Sequence, residues 1–212
     1  MNSIVKRYKD IIIDTALAIP IGVVIGTLDA VFGRVLLKVT DIRNQYVLWL
    51  VPLLPIAGIF IVFLYKKFNE ECLKGMSLVF QTGLGDRDSI PKILIPLTIV
   101  TTWITHLFGG SAGREGVAVQ VGATVAHTLG KKIGRPNNSR ILLITGMAAG
   151  FAGLFQTPFA ATLFAMEVMV VGVIQYTALL PALTAAFVAS GTSHFLGLEK
   201  FFVSITDTLP WD

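Results

Sequence analysis

Glu115 stands alone in a run of small and apolar residues that extends from Gly109, Gly110, Ser111, Ala112, Gly113 and Arg114 through Gly116 and Val117 to Val119. In a membrane-embedded chain an ionisable side chain in such surroundings is costly, which makes it a functional candidate by default. Glycines on both sides of it let the backbone approach a ligand closely. An apolar, helix-like stretch begins directly after it. The unpaired N–H groups of a helix's first turn, and its dipole, attract an anion. An ionised carboxylate at the same place competes with that anion, and a protonated one withdraws. One residue would thus exchange a proton for an anion. The structural alternative is an Arg114–Glu115 ion pair in a loop.

Other groups carry less. Glu167 is the second acid within an apolar segment, and it reads as a structural partner near a membrane edge, for a basic loop residue. His106, His127 and His194 share no metal-ligand spacing, and no metal or cofactor is expected. Gly109-Gly110-Ser111-Ala112-Gly113 formally matches the Gly-x-Ser-x-Gly nucleophile elbow, with His106 or His194 as a base. That motif needs a strand before the serine. Residues 93–108 read as a membrane helix, so the protein is expected not to be an enzyme.

The elements that must position Glu115 are set by composition. The 212 residues are 54% hydrophobic and 14% charged, with a mean hydropathy of +0.74. A soluble domain carries about 25% charged residues, so lipid covers most of this surface. The net charge of +4 does not indicate nucleic acid, because the basic residues lie at segment ends, as in membrane proteins. The single cysteine, Cys72, excludes an internal disulfide. Residues 1–10 are basic and lead into an apolar run that continues past Pro20 without a clear cleavage site, which reads as a retained first membrane helix.

Apolar segments are expected at residues 11–37, 47–65, 73–81, 93–108, 115–129, 141–155, 159–171 and 176–196. Residues 47–65 form a clean span, whereas 73–81 are too few to cross. Short, glycine- or proline-broken segments at membrane depth are tolerated only where buried or lining a cavity, and they point to a transporter's binding site. Asp14 and Asp29 in the first span are expected to face protein. Gly146-xxx-Gly150 and Gly122-xxx-Ala126 favour close helix packing. Lys6, Arg7, Lys9, Lys66, Lys67, Arg87, Lys92, Lys131, Lys132, Arg135 and Arg140 place the N-terminus in the cytoplasm, with Arg34, Lys38 and Arg43 dissenting. Gly75 would then approach from inside and Gly113 from outside, and residues 209–212 would lie outside. Residues 1–212 read as one transmembrane domain in the cell (plasma or inner) membrane.

Gly113-Arg114-Glu115-Gly116, followed about thirty residues later by the run from Gly146 to Glu167 that contains Gln156-Thr157-Pro158, resembles the CLC family of anion channels and anion/proton antiporters. Most members carry proline after Gly-Arg-Glu-Gly. Val117 in its place resembles the fluoride-exporting branch. The family's upstream Gly-Ser-Gly-Ile-Pro motif corresponds to Gly75-Met76-Ser77-Leu78, and methionine in place of the anion-contacting serine again resembles that branch. The resemblance implies an all-α membrane protein with re-entrant half-helices and fluoride/proton antiport gated by Glu115. It implies an anion held by Gly75, Met76, Ser77, Gly113, Arg114, Gly116 and Val117. The inner proton-relay glutamate of many antiporters corresponds to Val168 here, which implies another proton route.

CLC subunits are built from two inverted repeats, and this chain resembles the first repeat only. The resemblance implies fluoride ion, protons and the lipid bilayer as partners, together with a second repeat or a homodimer. Parallel association through residues 159–196 is the expected arrangement, because that region carries the subunit contact in related proteins. The alternatives are an isolated half that folds or dimerises without transporting, and a chloride-type CLC transporter.

Overall fold

The computed structural model describes residues 2–134, 139–170 and 172–200. Arg135, the end of the 159–171 segment and the expected external residues 209–212 lie outside them. The described residues form helices joined by turns. These are α1 (Asn2–Gln45), α2 (Val47–Leu50), α3 (Leu54–Phe68), α4 (Met76–Leu84), α5 (Leu94–Leu107), α6 (Arg114–Lys132), α7 (Ser139–Phe155), α8 (Pro158–Val168) and α9 (Leu179–Phe195). Three stretches are long and apolar enough to cross a membrane: Tyr8–Gln45, Val47–Phe68 and Tyr176–Phe195.

Two expectations on element bounds are corrected. α1 runs 44 residues rather than ending near Leu37, which is about 65 Å at 1.5 Å per residue. A bilayer core is about 30 Å thick, so this helix tilts strongly or projects beyond the lipid. The span expected from Val47 is borne out as Val47–Phe68, with one local irregularity inside it. Pro52 and Pro55 remove two backbone donors, and residues Val51–Leu53 form a 3-10 turn between α2 and α3. The segment expected at 73–81 begins later, at Met76, because Glu70–Lys74 form a separate 3-10 turn capped by the Asn69 side chain, which accepts from the Glu71 N–H at 2.9 Å. It ends at Leu84, where Gly85 takes the left-handed conformation (φ +92°).

α7 is the centre of the packing. It lies against α1, α4, α6, α8 and α9, and Leu142, Leu143, Ile144, Met147, Ala148 and Ala149 on it are fully buried. Small residues set how close its neighbours come. A β-carbon added at Gly146 would land on the Gly122 carbonyl oxygen, and one at Gly150 on the Ala118 carbonyl oxygen. The expected small-residue contacts therefore form between α6 and α7, backbone on backbone. α1 and α9 meet in the same way, with Gly22 against the Ala185 carbonyl (2.8 Å from an added β-carbon) and Gly26 against Ala189. Such contacts replace the hydrophobic drive that is absent between helices in lipid.

Asp14 and Asp29 are buried within the helical packing, as expected. By contrast α3 buries only Ala57 and presents Ile56, Ile59, Phe60 and Phe63 outward. Phe159, Leu163, Leu180 and Phe187 are likewise exposed on α8 and α9, with the Phe159 and Phe187 rings edge to face.

Candidate functional site

The Glu115 segment enters as a loop and becomes a helix at a defined point. α5 ends at Leu107, Gly109 turns the chain at φ +82°, and the Gly110 N–H returns to the Thr105 carbonyl at 2.8 Å. His106 Nε2–H donates to the Ala112 carbonyl at 3.1 Å, which pins the loop just before the helix. α6 starts at Arg114 with Gly113 as its N-cap, in an extended conformation (φ −67°, ψ 137°) and with no side-chain cap. The first-turn donors of α6 are therefore not taken by a capping side chain.

Glu115 lies in that first turn and is exposed. It makes no ion pair or hydrogen bond with a described residue, so the alternative of an Arg114–Glu115 pair is not realised. Its carboxylate turns back over its own helix end: a β-carbon on Gly113 would lie 3.1 Å from Glu115 Oε2. Gly113 leaves room for that carboxylate, and Gly116 leaves the next turn open. Val117 is buried with Ala118 and Val121 in the α1, α6 and α7 packing. Arg114 is half-buried.

The second segment has the same design. α4 begins at Met76, its N-cap Gly75 sits at φ +52°, ψ −125°, and no side chain caps it. Only glycine takes that backbone conformation without strain. Met76 is half-buried and packs against the core that contains Cys72, Leu78 and Val79. Ser77 is exposed.

The two helix N-termini are brought together by a residue that the sequence reading did not single out. A β-carbon on Gly75 would lie 3.7 Å from Gln120 Nε2, and one on Gly116 would lie 3.8 Å from the same atom. Gln120 thus bridges α4 and α6. The signal was available: Gln120 falls one helical turn after Gly116, on the same face. Arg43 was also passed over, as a residue dissenting from the orientation rule. An added β-carbon on Gly109 would lie 3.9 Å from Arg43 Cδ, so this cation borders the loop that leads to Glu115.

Three other candidates resolve differently. Ser111 is exposed and follows the helix α5, not a strand, and the neighbouring His106 ring is engaged with the Ala112 carbonyl rather than with Ser111. The nucleophile-elbow context is therefore absent. Glu167 was expected to pair with a basic loop residue, and among the described residues it has no ion pair. The buried face of α8 is Ala161, Thr162, Ala165 and Met166, and Glu167 lies off it, exposed. Val168, at the relay position, is half-buried against the core.

Comparison with known proteins bears on what this geometry belongs to. The family model described as voltage gated chloride channel matches residues 57–212. A chloride/fluoride channel protein of Pseudomonas syringae pv. tomato is 33% identical over 196 residues, 92% of this chain and 43% of the relative. The voltage-gated ClC-type chloride channel ClcB of Yersinia pestis is 30% identical over 125 residues, 58% of this chain and 28% of the relative. A crystal structure of a CLC-type fluoride/proton antiporter superposes with a TM-score of 0.89 at 48% identity, covering 95% of this chain and 51% of that one. The chain spans about half the length of the relatives that match it along most of its length. The fold is that of a multi-pass, all-helical membrane protein with re-entrant half-helices, corresponding to one repeat of the inverted pair. With more than half of its residues matched by the family model, this chain belongs to the CLC family of voltage gated chloride channels and their transporter relatives.

Proposed function

We propose that this chain is the gate-bearing half of a fluoride/proton antiporter, with the anion held at the N-termini of α4 and α6 and exchanged against a proton on Glu115. The observation that carries the reading is the Glu115 carboxylate turned back over a helix end whose cap is glycine. An ionised carboxylate there competes with the anion for the same donors, and protonation releases it. Gly75, Met76, Ser77, Gly113, Arg114, Gly116 and Val117 form the anion-facing backbone in this reading. Two neighbours support fluoride: the chloride/fluoride channel protein and the CLC-type fluoride/proton antiporter structure. Met76 offers no hydroxyl donor beside Gly75, and its thioether disfavours chloride coordination there.

The chain is placed in the cell membrane with its N-terminus in the cytoplasm, on the Lys/Arg distribution. A complete pore needs a second, inverted repeat. The exposed apolar residues Phe159, Leu163, Leu180 and Phe187 support a homodimer through α8 and α9. The chain spans about half the length of these relatives, and a half that folds or dimerises without transporting by itself is one alternative reading. A chloride-type exchange is the remaining alternative. Liposomes loaded with fluoride and containing the protein separate the three. Antiport gives proton uptake driven by fluoride efflux, the inactive half gives neither, and chloride-type exchange gives flux with chloride and little with fluoride.

A further inference from the structure

One buried acid plays no part in the exchange described above. Asp29 of α1 is 2% exposed, and its Oδ2 has no hydrogen-bond partner. It packs against α7 at Gly153, where an added β-carbon would collide with that same oxygen. Glycine is what lets the carboxyl sit there. Burying an unpaired polar oxygen costs free energy, and burying an unpaired charge costs far more, so a carboxyl in this position is a place to keep a proton. The charged and titratable groups of the helices around it are occupied elsewhere. Arg34 on α1 donates to the Leu196 carbonyl, His106 on α5 to the Ala112 carbonyl, and Arg140 on α7 to the Gly83 carbonyl. His127 and Lys131 on α6 meet the Asp88 carbonyl, and His194 on α9 is exposed. Asp14, the other fully buried acid of α1, lies fifteen residues earlier, about 22 Å away at 1.5 Å per residue. That leaves Arg114 and Glu115, at the start of α6.

The close contacts between α6 and α7 fix how Asp29 lies relative to that end of α6. Gly122 faces Gly146, and Ala118 faces Gly150. The helices therefore run antiparallel, and one further turn sets Arg114 opposite Leu154. Gly153, which touches Asp29, is thus level with the first turn of α6. Gly150 and Gly153, three residues apart, share a face of α7, and Glu115 and Ala118 share a face of α6 in the same way. Asp29 and Glu115 accordingly stand at one depth around α7, separated by on the order of one helix diameter, about 10 Å. A few water molecules, or an inward turn of the longer Glu115 side chain, close that gap.

We propose that Asp29 is a second proton-binding residue of the transporter, a buried carboxyl at the depth of Glu115 that accepts the proton Glu115 gives up and leads it off the anion path. The proposal rests on the antiport reading above and deepens it. Glu115 is exposed and takes its proton from water. The protonated Glu115 passes that proton to the Asp29 carboxylate, which leaves Glu115 ionised and Asp29 neutral. Val168 cannot hold a proton, so the transfer needs an acid elsewhere, and acids buried in transmembrane helices serve as such relays. Asp14, equally buried on the same helix, continues the line toward the α1 N-terminus.

The test is proton uptake and fluoride efflux in liposomes, with the protein as the cell assembles it. Asp29→Asn keeps the shape of the neutral acid and cannot carry a proton. Its proton uptake is expected to fall roughly a hundredfold, the lower range of what a positioned proton-transfer group contributes. Fluoride efflux falls with it, while fluoride affinity by titration calorimetry stays at the wild-type value. The double variant Asp29→Asn with Glu115→Gln separates this role from packing. Glu115→Gln has already lost the proton limb, so adding Asp29→Asn should leave its fluoride flux unchanged, whereas a packing residue would lower it further. Infrared spectra at neutral pH should show a carboxylic-acid carbonyl band that Asp29→Asn removes, and this arm holds even where Glu115→Gln carries no flux. If Asp29→Asn fails to fold, Asp29→Ser takes its place with the same expectations. Wild-type proton uptake in Asp29→Asn, a further loss of flux in the double variant, or no such band overturns the role of Asp29 and leaves the antiport reading standing. A wild-type protein that moves fluoride without protons, or moves neither, overturns both.

Discussion

Adding one methyl group where α6 crosses α7 should be among the most damaging small changes to this protein. A β-carbon on Gly122 would land on the Gly146 carbonyl oxygen, 2.9 Å from that carbonyl carbon and 3.1 Å from the Gly150 nitrogen. All three atoms are backbone, so no flexible side chain can yield. Restoring ordinary contact parts the two helices by on the order of 1 Å, and gaps of that size forfeit roughly a quarter to a half of each dispersion contact they open. Overpacking of this kind costs about 1–3 kcal/mol. The backbone collision puts Gly122→Ala near the top of that range, about a hundredfold in the folding equilibrium. Gly58→Ala is the control. It is also a helical glycine, but nothing lies within 4 Å of its added β-carbon, so it should gain roughly 0.5–1 kcal/mol from helix propensity. The fraction of monodisperse protein left after heating in detergent reads both variants. Equal stability of Gly122→Ala and wild type, or greater harm from Gly58→Ala, would refute the close-packed crossing.

Gly75→Ala meets only ordinary contacts, yet it forces a non-glycine residue to φ +52°, ψ −125°. It should cost about 1–3 kcal/mol and weaken fluoride binding by turning the start of α4, and unchanged melting together with unchanged affinity would show that the backbone there is not strained. Met76→Ser adds a hydroxyl donor beside Gly75, so chloride should become a better competitor in paired fluoride and chloride efflux measurements, and an unchanged ratio would leave Met76 as packing alone. Outside the membrane helices, the Arg87 guanidinium donates to Glu71 at 2.7 Å, and this hydrogen bond, with the Arg87 charge, holds the Glu71 carboxyl below its usual 4.5. A depressed carboxyl stabilises the folded state above its unfolded pKa and loses that effect as pH falls through the folded value. The melting difference between wild type and Glu71→Gln should therefore be small at neutral pH and vanish on acidification, and a difference that grows in acid would contradict the pairing.

Much of the fold was legible because lipid imposes a simple code. Long apolar runs gave α1, α5, α7 and α9, and the Gly146-xxx-Gly150 and Gly122 spacings gave the α6–α7 contact. The span from Val47 was legible as well, and only its 3-10 turn at Val51–Leu53 was not, because hydropathy does not register the backbone donors that Pro52 and Pro55 remove. α1 extends past Leu37 because Lys38 and Arg43 are good helix formers, so a fall in hydropathy does not end the helix. At the site, Glu115 was legible as a lone acid among glycines. Gln120 was legible only in part: its spacing from Gly116 is in the sequence, whereas its approach to Gly75 exists only in the fold. Glu167 misled in the opposite direction, since its register on α8 carries it off the buried face.

The central claim is that one carboxylate exchanges a proton for an anion, and the most direct measurement is proton uptake driven by a fluoride gradient in liposomes, with wild type beside Glu115→Gln. Glutamine mimics the protonated acid and cannot titrate. The account predicts that wild-type fluoride efflux draws protons in and that Glu115→Gln loses this coupling, whether its fluoride flux persists or falls. Stoichiometric proton uptake retained in Glu115→Gln would contradict it.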